Sequence, residues 1–182
     1  MTMTFSIQPV LENENVLLLP LKENDFETLY EAASDENIWI QHPNKDRWKK
    51  EVFLSFFEGA IKSKGAFKII DKVTNILAGS SRFYNYNEED NSIFIGYTFY
   101  AVSFWGTGLN PVVKKLMMDY IFQYVDRIRF HIGAANFRSQ IAITRIGATK
   151  IAEEEVAYYN EPSRLNFVYE ISKTDWLSSQ NQ

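Results

Sequence analysis

Two glycines, Gly106 and Gly108, stand just before an Asn110-Pro111 pair and a strongly amphipathic run. Such a stretch can hold an anion. Glycines let a phosphate approach the backbone, and the unpaired N–H groups at a helix start lie at the positive end of its dipole. The spacing excludes two nucleotide motifs. A dinucleotide fingerprint needs its third glycine where Pro111 stands, and a P-loop needs Gly-Lys-Ser/Thr, which is absent. A tight turn before a well-capped helix accounts for the same residues without a ligand. Groups able to move a proton are few. His42 lies in the irregular segment "WIQHPNKDRW" and titrates near neutral pH when unperturbed. His131 alternates with Phe130 and Ile132 and reads as structural. Ser139 follows Asn136 as Asn-x-x-Ser, where a serine is either a cap or a hydroxyl donor. Glu153, Glu154 and Glu155 offer carboxylates, or simply a solvated strand face.

The elements that must position these residues follow from periodicity. After the glycines, Val112, Leu116, Tyr120 and Tyr124 lie four apart, with Val113, Met117 and Ile121 in the adjacent row, so a helix with its buried face along these rows is expected. Asn110 suits its cap and Pro111 its first position, where a missing N–H has no cost. Further helices are expected at 24–34, at 46–64 with Gly65 ending it, and at 138–147. Short apolar segments at 15–21, 66–70, 75–84, 91–100, 127–133, 148–160 and 163–172 read as strands. Short polar connections join 66–70, 75–84 and 91–100 as antiparallel hairpins. The strand at 127–133 is reached through a helix and should run parallel to 91–100. The expected fold is α/β with a mixed sheet.

Composition narrows the function classes. The chain has 182 residues, 46% of them hydrophobic, and no dividing linker, which suits one domain over 1–182. A net charge of −4 argues against a dominant nucleic-acid surface. No apolar run is long enough to span a bilayer, and the start lacks a signal-like pattern, so a soluble cytoplasmic protein with no membrane partner is expected. Zero cysteines exclude disulfides, thiolate metal sites and a cysteine nucleophile, and two histidines argue against a multi-histidine metal site, so no metal is expected.

The residues quoted so far also carry a resemblance. "WGTGLN" (105–110) is similar to the glycine segment that holds the pyrophosphate of acetyl-coenzyme A in the GCN5-related N-acetyltransferase (GNAT) superfamily. "NFRSQIAITRIGA" (136–148) looks like a second segment of its RimJ/RimL-like branch, which includes enzymes acetylating ribosomal-protein N-termini. "LAGSSRF", "IGYTF" and "VYEISKTDW" resemble one subgroup, so the likeness extends along nearly the whole chain.

The resemblance implies a GNAT fold: a mostly antiparallel mixed sheet flanked by helices, its central parallel strand pair splayed around the pantetheine arm. It implies acetyl-CoA as cosubstrate, bound by Phe99, Tyr100, Trp105, Gly106, Thr107, Gly108, Leu109, Asn110, Asn136 and Ser139. It further implies direct attack by a primary amine, with no covalent enzyme intermediate, and a homodimer is common among such proteins. The acceptor is a protein N-terminus or a small amine, recognised by 38–48 and by the hairpin at 158–163.

Two departures leave the chemistry open. The tyrosine that serves as acid in many relatives is Ile143 here, which makes Ser139 the candidate acid. The glutamate before Ile-Gly is Phe94, so a water chain, Glu154 or a neighbouring carboxylate, or His42 would act as base. The same departures fit a protein of this fold that binds the coenzyme or a partner without catalysis. An interaction domain whose glycines only turn the chain is the third reading. Glu88, Glu89 and Asp90 either attract a cationic acceptor or form a solvated turn.

Overall fold

A computed structural model describes residues 5–180. One eight-stranded sheet has the order β1-β2-β3-β4-β5-β6-β8-β7. Its strands are β1 (Leu11–Glu12), β2 (Val16–Pro20), β3 (Ala66–Asp71), β4 (Ile76–Asn87), β5 (Ser92–Tyr100), β6 (Arg127–Gly133), β7 (Thr149–Ala157) and β8 (Ser163–Ser172). Every pairing is antiparallel except that of β5 with β6. The helices are α1 (Phe26–Ala33), α2 (Lys50–Ser63), α3 (Leu109–Ile121), α4 (Phe137–Arg145) and α5 (Lys173–Ser179). This is the expected α/β architecture with a mixed, mostly antiparallel sheet. The two-residue β1 and the terminal α5 carry too short a pattern to be read beforehand. No helix among the described residues is long and apolar enough to cross a membrane.

Two hydrophobic clusters pin the helices to opposite faces. Leu29 and Ala33 of α1 and Phe53, Phe56 and Phe57 of α2 pack with Trp39, Ala66 and Phe99. Val113, Met117, Met118 and Ile121 of α3 pack with Phe67, Phe83, Ile93, Ile95 and Ile128. The aromatic rings of the first cluster interlock, with Trp39 against Phe99 at 5.1 Å and Phe53 against Phe56 at 5.4 Å between centroids. Removing one such buried ring costs about 3–5 kcal/mol.

Three local expectations change. The buried face of α3 runs along Val113, Met117 and Ile121 together with Lys114 and Met118, while Val112 and Tyr120 are half-buried and Tyr124 is exposed. Helix α2 begins at Lys50, so Trp48 precedes it. It ends with Lys64 in the left-handed conformation, φ 52°. Gly65 is needed for another reason: a Cβ there would lie 2.1 Å from the Phe83 carbonyl oxygen, whose own residue donates its N–H to the Gly65 carbonyl at 3.0 Å.

The parallel pair β5·β6 is open over much of its length. The strands are in register only over Ser92–Arg127, Ile93–Ile128 and Phe94–Arg129, and then diverge. A bulge lies beyond that point. Between Ser80 and Arg82 of β4 the register slips, so Ser81 faces both Tyr97 and Thr98, and Tyr97 takes φ 53°. A bulge of this kind bends its strand and sharpens the twist. The pairing of β5 with β6 is not resumed over residues 95–100, and the wedge between the strands is lined by backbone edges with no partner strand.

Candidate active site

The glycine loop closes the open end of the wedge. A short 3-10 turn, Val102–Phe104, leads from β5 into Trp105, whose Nε1 donates to the Tyr100 carbonyl at 3.1 Å. Thr107 Oγ1 donates to the Phe104 carbonyl at 2.8 Å, fixing the loop from inside. Gly106 and Gly108 have φ 71° and 84°, and a Cβ built on either meets nothing within 4 Å. Both backbones therefore face open space in a conformation that L side chains rarely adopt. Among the described residues, the N–H groups of Gly106, Thr107 and Gly108 donate to nothing.

Helix α3 starts at Leu109 with Gly108 as its cap, which corrects the expected start. Asn110 is already inside the first turn, and Pro111 occupies a later position in that turn, where its missing N–H still removes no intrahelical bond. Freed from capping, Asn110 points its Oδ1 into the interior without a partner, as Tyr100 does its hydroxyl. Both residues line a cavity of about 390 Å³ together with Phe99, Trp105, Gly106 and Gly108. Free N–H groups, a helix N-terminus and two orphaned buried polar atoms suit a ligand with a diphosphate and amides, as acetyl-CoA has.

Ser139 meets this cavity system from the other strand, and Asn136 lies behind it without lining any of these cavities. Asn136 is buried and accepts the Ser139 N–H on its Oδ1 at 3.1 Å, capping α4. Because Asn136 is the cap, Ser139 is not, and its hydroxyl makes no hydrogen bond with any described residue. It lines a narrow cavity of about 80 Å³ between the diverging strands, with Ile143, Lys114, His131, Gly96 and Tyr97. An outer groove of about 800 Å³ between α3 and α4 carries Arg138 and Arg145. Arg138 lies 4.4 Å over the Trp105 ring and donates to the Ile38 carbonyl at 3.2 Å, bracketing the mouth of the cleft.

The face toward α1 and α2 holds the proton-transfer candidates. His131 is gripped from both sides, by the Tyr84 hydroxyl 3.2 Å from Nδ1 and Glu154 Oε2 3.1 Å from Nε2. Its ring stacks on Phe94 at 4.2 Å. Burial lowers its pKa, and Glu154 opposes the shift. Burial likewise raises that of the Tyr84 phenol. Glu154 thus reaches the site through His131, a histidine expected to be structural. Its neighbours point elsewhere: Glu153 pairs with Lys150 at 2.5 Å, and Glu155 accepts from Ser163 at 3.2 Å. His42 lines both inner cavities, but burial first, then Arg47 and Arg138, hold its pKa down to about 3. An imidazole so shifted is neutral and a weak base, contrary to the expectation for it. Asp90, of the acidic turn, is paired with Arg129 at 2.7 Å.

The hairpin tip between β7 and β8 walls this face. Arg47 and Glu161, both buried, form a bidentate pair at 2.9 and 2.8 Å. The guanidinium sits in a box of Trp39, Phe56 and Tyr158. Lys62 bonds the Tyr159 hydroxyl. Sequence reasoning missed Tyr84, Arg138 and Lys114, whereas Arg47 and Tyr158 lie inside the two segments expected to recognise the acceptor, without having been singled out there. For Arg138 and Lys114 a signal existed, a basic residue in the Asn-x-x-Ser segment and a cation on the apolar stripe of α3.

Residues 15–149 match the family of acetyltransferase (GNAT) domains. The chain belongs to that family. Solved structures repeat the fold of this GNAT domain at low identity. A GCN5-related N-acetyltransferase from Brucella melitensis superposes with a TM-score of 0.82 at 18% identity, over 96% of this chain and 83% of the other. The microcin C7 self-immunity acetyltransferase MccE, solved with acetyl-CoA and AMP, gives 0.70 at 17% identity, over 88% and 93%. The spermidine/spermine N-acetyltransferase SpeG from Vibrio cholerae gives 0.65 at 16% identity, over 92% and 99%. No curated protein sequence matches.

Proposed function

We propose that the chain acts as a single N-acetyltransferase domain that moves the acetyl group of acetyl-CoA onto a primary amine by direct attack. The observation that carries this reading is the wedge between β5 and β6, closed at one end by the free N–H groups of the glycine loop and bounded on the far side by His131 and Glu154. Backbone N–H groups of 106–110 hold the diphosphate, with Phe99, Tyr100 and Trp105 flanking it. The cap made by Asn136 and the hydroxyl of Ser139 orient the thioester end. The bound thioester supplies an activated acetyl carbon.

On the opposite face a neutral amine enters the narrow cavity and attacks the acetyl carbon, and the proton its nitrogen then carries in excess passes to His131, whose imidazole Glu154 orients and whose positive form it stabilises. The narrow cavity, flanked by Tyr97, Tyr158 and Pro43, suits a slim primary amine. The sequence resemblance to the RimJ/RimL-like branch favours the α-amino group of a protein N-terminus, and SpeG, named for acting on spermidine and spermine, supports a small amine. Titration with acetyl-CoA by calorimetry, followed by thiol release with N-terminal peptides and polyamines, tests the reading. The chain has no cysteine, so a thiol reagent reports coenzyme A alone. Binding with amine-dependent release is expected. Binding without release from any amine would leave a coenzyme-binding protein, and no binding would overturn the assignment of the glycine loop.

A further inference from the structure

Lys114 occupies a core position of α3 beside Val113, Met117 and Met118, where an aliphatic residue would pack. It is buried, and among the described residues no carboxylate lies within ion-pair distance of its Nζ. Its one hydrogen bond is donated to Thr98 Oγ1 at 2.9 Å, and Thr98 shares a second with Ser81 Oγ at 2.8 Å. Thr98 is the residue just past the Tyr97 bulge, so that distortion presents the hydroxyl that holds Lys114. The amine lines both the narrow cavity, with Ser139, Ile143 and His131, and the outer groove, with Gly106, Asn110 and Arg138. It therefore stands where the coenzyme side of the wedge meets the acceptor side. A buried cation without a counter-ion is costly, and a purely structural position would favour an aliphatic side chain.

We propose that Lys114 is the general acid of the transfer, giving its proton to the sulfur of the departing coenzyme A. The inference rests on the acetyltransferase reading. As the amine nitrogen bonds to the acetyl carbon, the C–S bond breaks and its electron pair passes to sulfur. The Lys114 ammonium protonates that sulfur and is left as a neutral amine. It regains a proton from solvent through the outer groove, while the acceptor's surplus proton leaves on the other face to His131. Burial lowers the Lys114 pKa to about 7. An ordinary thiol titrates near 8.5, so an ammonium with a pKa of about 7 is acidic enough to protonate a departing thiolate. Ile143 has no proton to give, and the hydroxyl of Ser139 is a far weaker acid than an ammonium at that value.

The test uses coenzyme A itself with the intact protein, and no acceptor. Coenzyme A is bound to wild type, Lys114→Met and Lys114→Arg, with affinity measured by calorimetry. The bound thiol is then titrated by its ultraviolet thiolate band. An ammonium beside the sulfur favours the thiolate, so in wild type the band should appear at lower pH than for free coenzyme A. Lys114→Met should move it back to or above the free value with affinity retained, and Lys114→Arg, a permanent cation, should keep it low. Identical thiol titration in wild type and Lys114→Met, with coenzyme A bound to both, would overturn the role of Lys114 and leave the acetyltransferase reading standing. If Lys114→Met failed to fold, a free-like thiol titration in Lys114→Arg would overturn it equally. No coenzyme A binding by wild type would overturn both.

Discussion

The Arg47–Glu161 pair gives the sharpest test of how the acceptor face is held. Glu161→Gln keeps the shape of the side chain and removes its charge. Arg47 would then remain buried with a neutral partner, and breaking one side of a buried ion pair costs about 3–5 kcal/mol. Two features lower the figure toward 3. The substituted amide would still accept one guanidinium hydrogen bond, and the rings of Phe56, Tyr158 and Trp39, at 4.9, 5.4 and 5.7 Å, still face the cation. For a domain of this size each kcal/mol moves Tm by about 2–4 °C, so a fall of about 6–12 °C is expected. Replacing both residues, Arg47→Met with Glu161→Leu, removes the charge and its penalty together and should return stability to within about 1 kcal/mol of wild type or above it. Urea unfolding of wild type, Arg47→Met, Glu161→Leu and the double variant supplies the cycle, with Glu161→Gln measured beside them. A Glu161→Gln loss below about 1 kcal/mol, or a double variant no more stable than Glu161→Gln, would refute the view that this pair is a desolvated clamp.

Three further outcomes follow from the geometry. Gly108→Val places a β-branched residue at φ 84° on the loop that faces the cavity, so coenzyme A affinity should fall at least about tenfold, the loss of one charge-assisted backbone hydrogen bond, and unchanged affinity in the folded variant would sink the loop's assignment. His131→Gln should lower kcat by about 10²–10⁴ with little change in acetyl-CoA affinity, and Glu154→Gln, acting through the imidazole, should cost less; equal activity of His131→Gln and wild type would remove His131 from the proton path. His42 has a folded pKa of about 3 against an ordinary 6.5, so below 6.5 the unfolded chain binds the proton first. Its contribution to stability is full above pH 6.5 and is lost as pH falls toward 3. His42→Gln should flatten the stability profile across that window, and a slope unchanged by the substitution would contradict it.

What the sequence determined by itself was local. Periods of two and of three to four placed the main strands and helices, and the strand at 127–133 and the last at 163–172 match to the residue. The glycines before α3 and the Asn-x-x-Ser at the start of α4 were legible because a loop conformation and a cap are written in adjacent residues, and the resemblance assigned both to one site. The element order and these two segments also carried the family.

The tertiary structure decided which side chains meet. Tyr97 gives no sign in the sequence of breaking its strand; the bulge that sets both Tyr97 and Thr98 against Ser81 exists only in the pairing of β4 with β5. Glu154 becomes a partner of His131 only because β7 and β6 both flank β8 in register, bringing together residues 23 apart in the chain. Arg47 and Glu161 are 114 residues apart, and neither carries a local mark of burial. Lys114 is visible in the sequence as a cation on the apolar stripe of α3, but only the packing of α3 against the sheet sets its amine in the cleft and strips its water. Backbone pattern is a property of neighbouring residues, whereas the charge state and reach of a side chain depend on what distant segments pack around it.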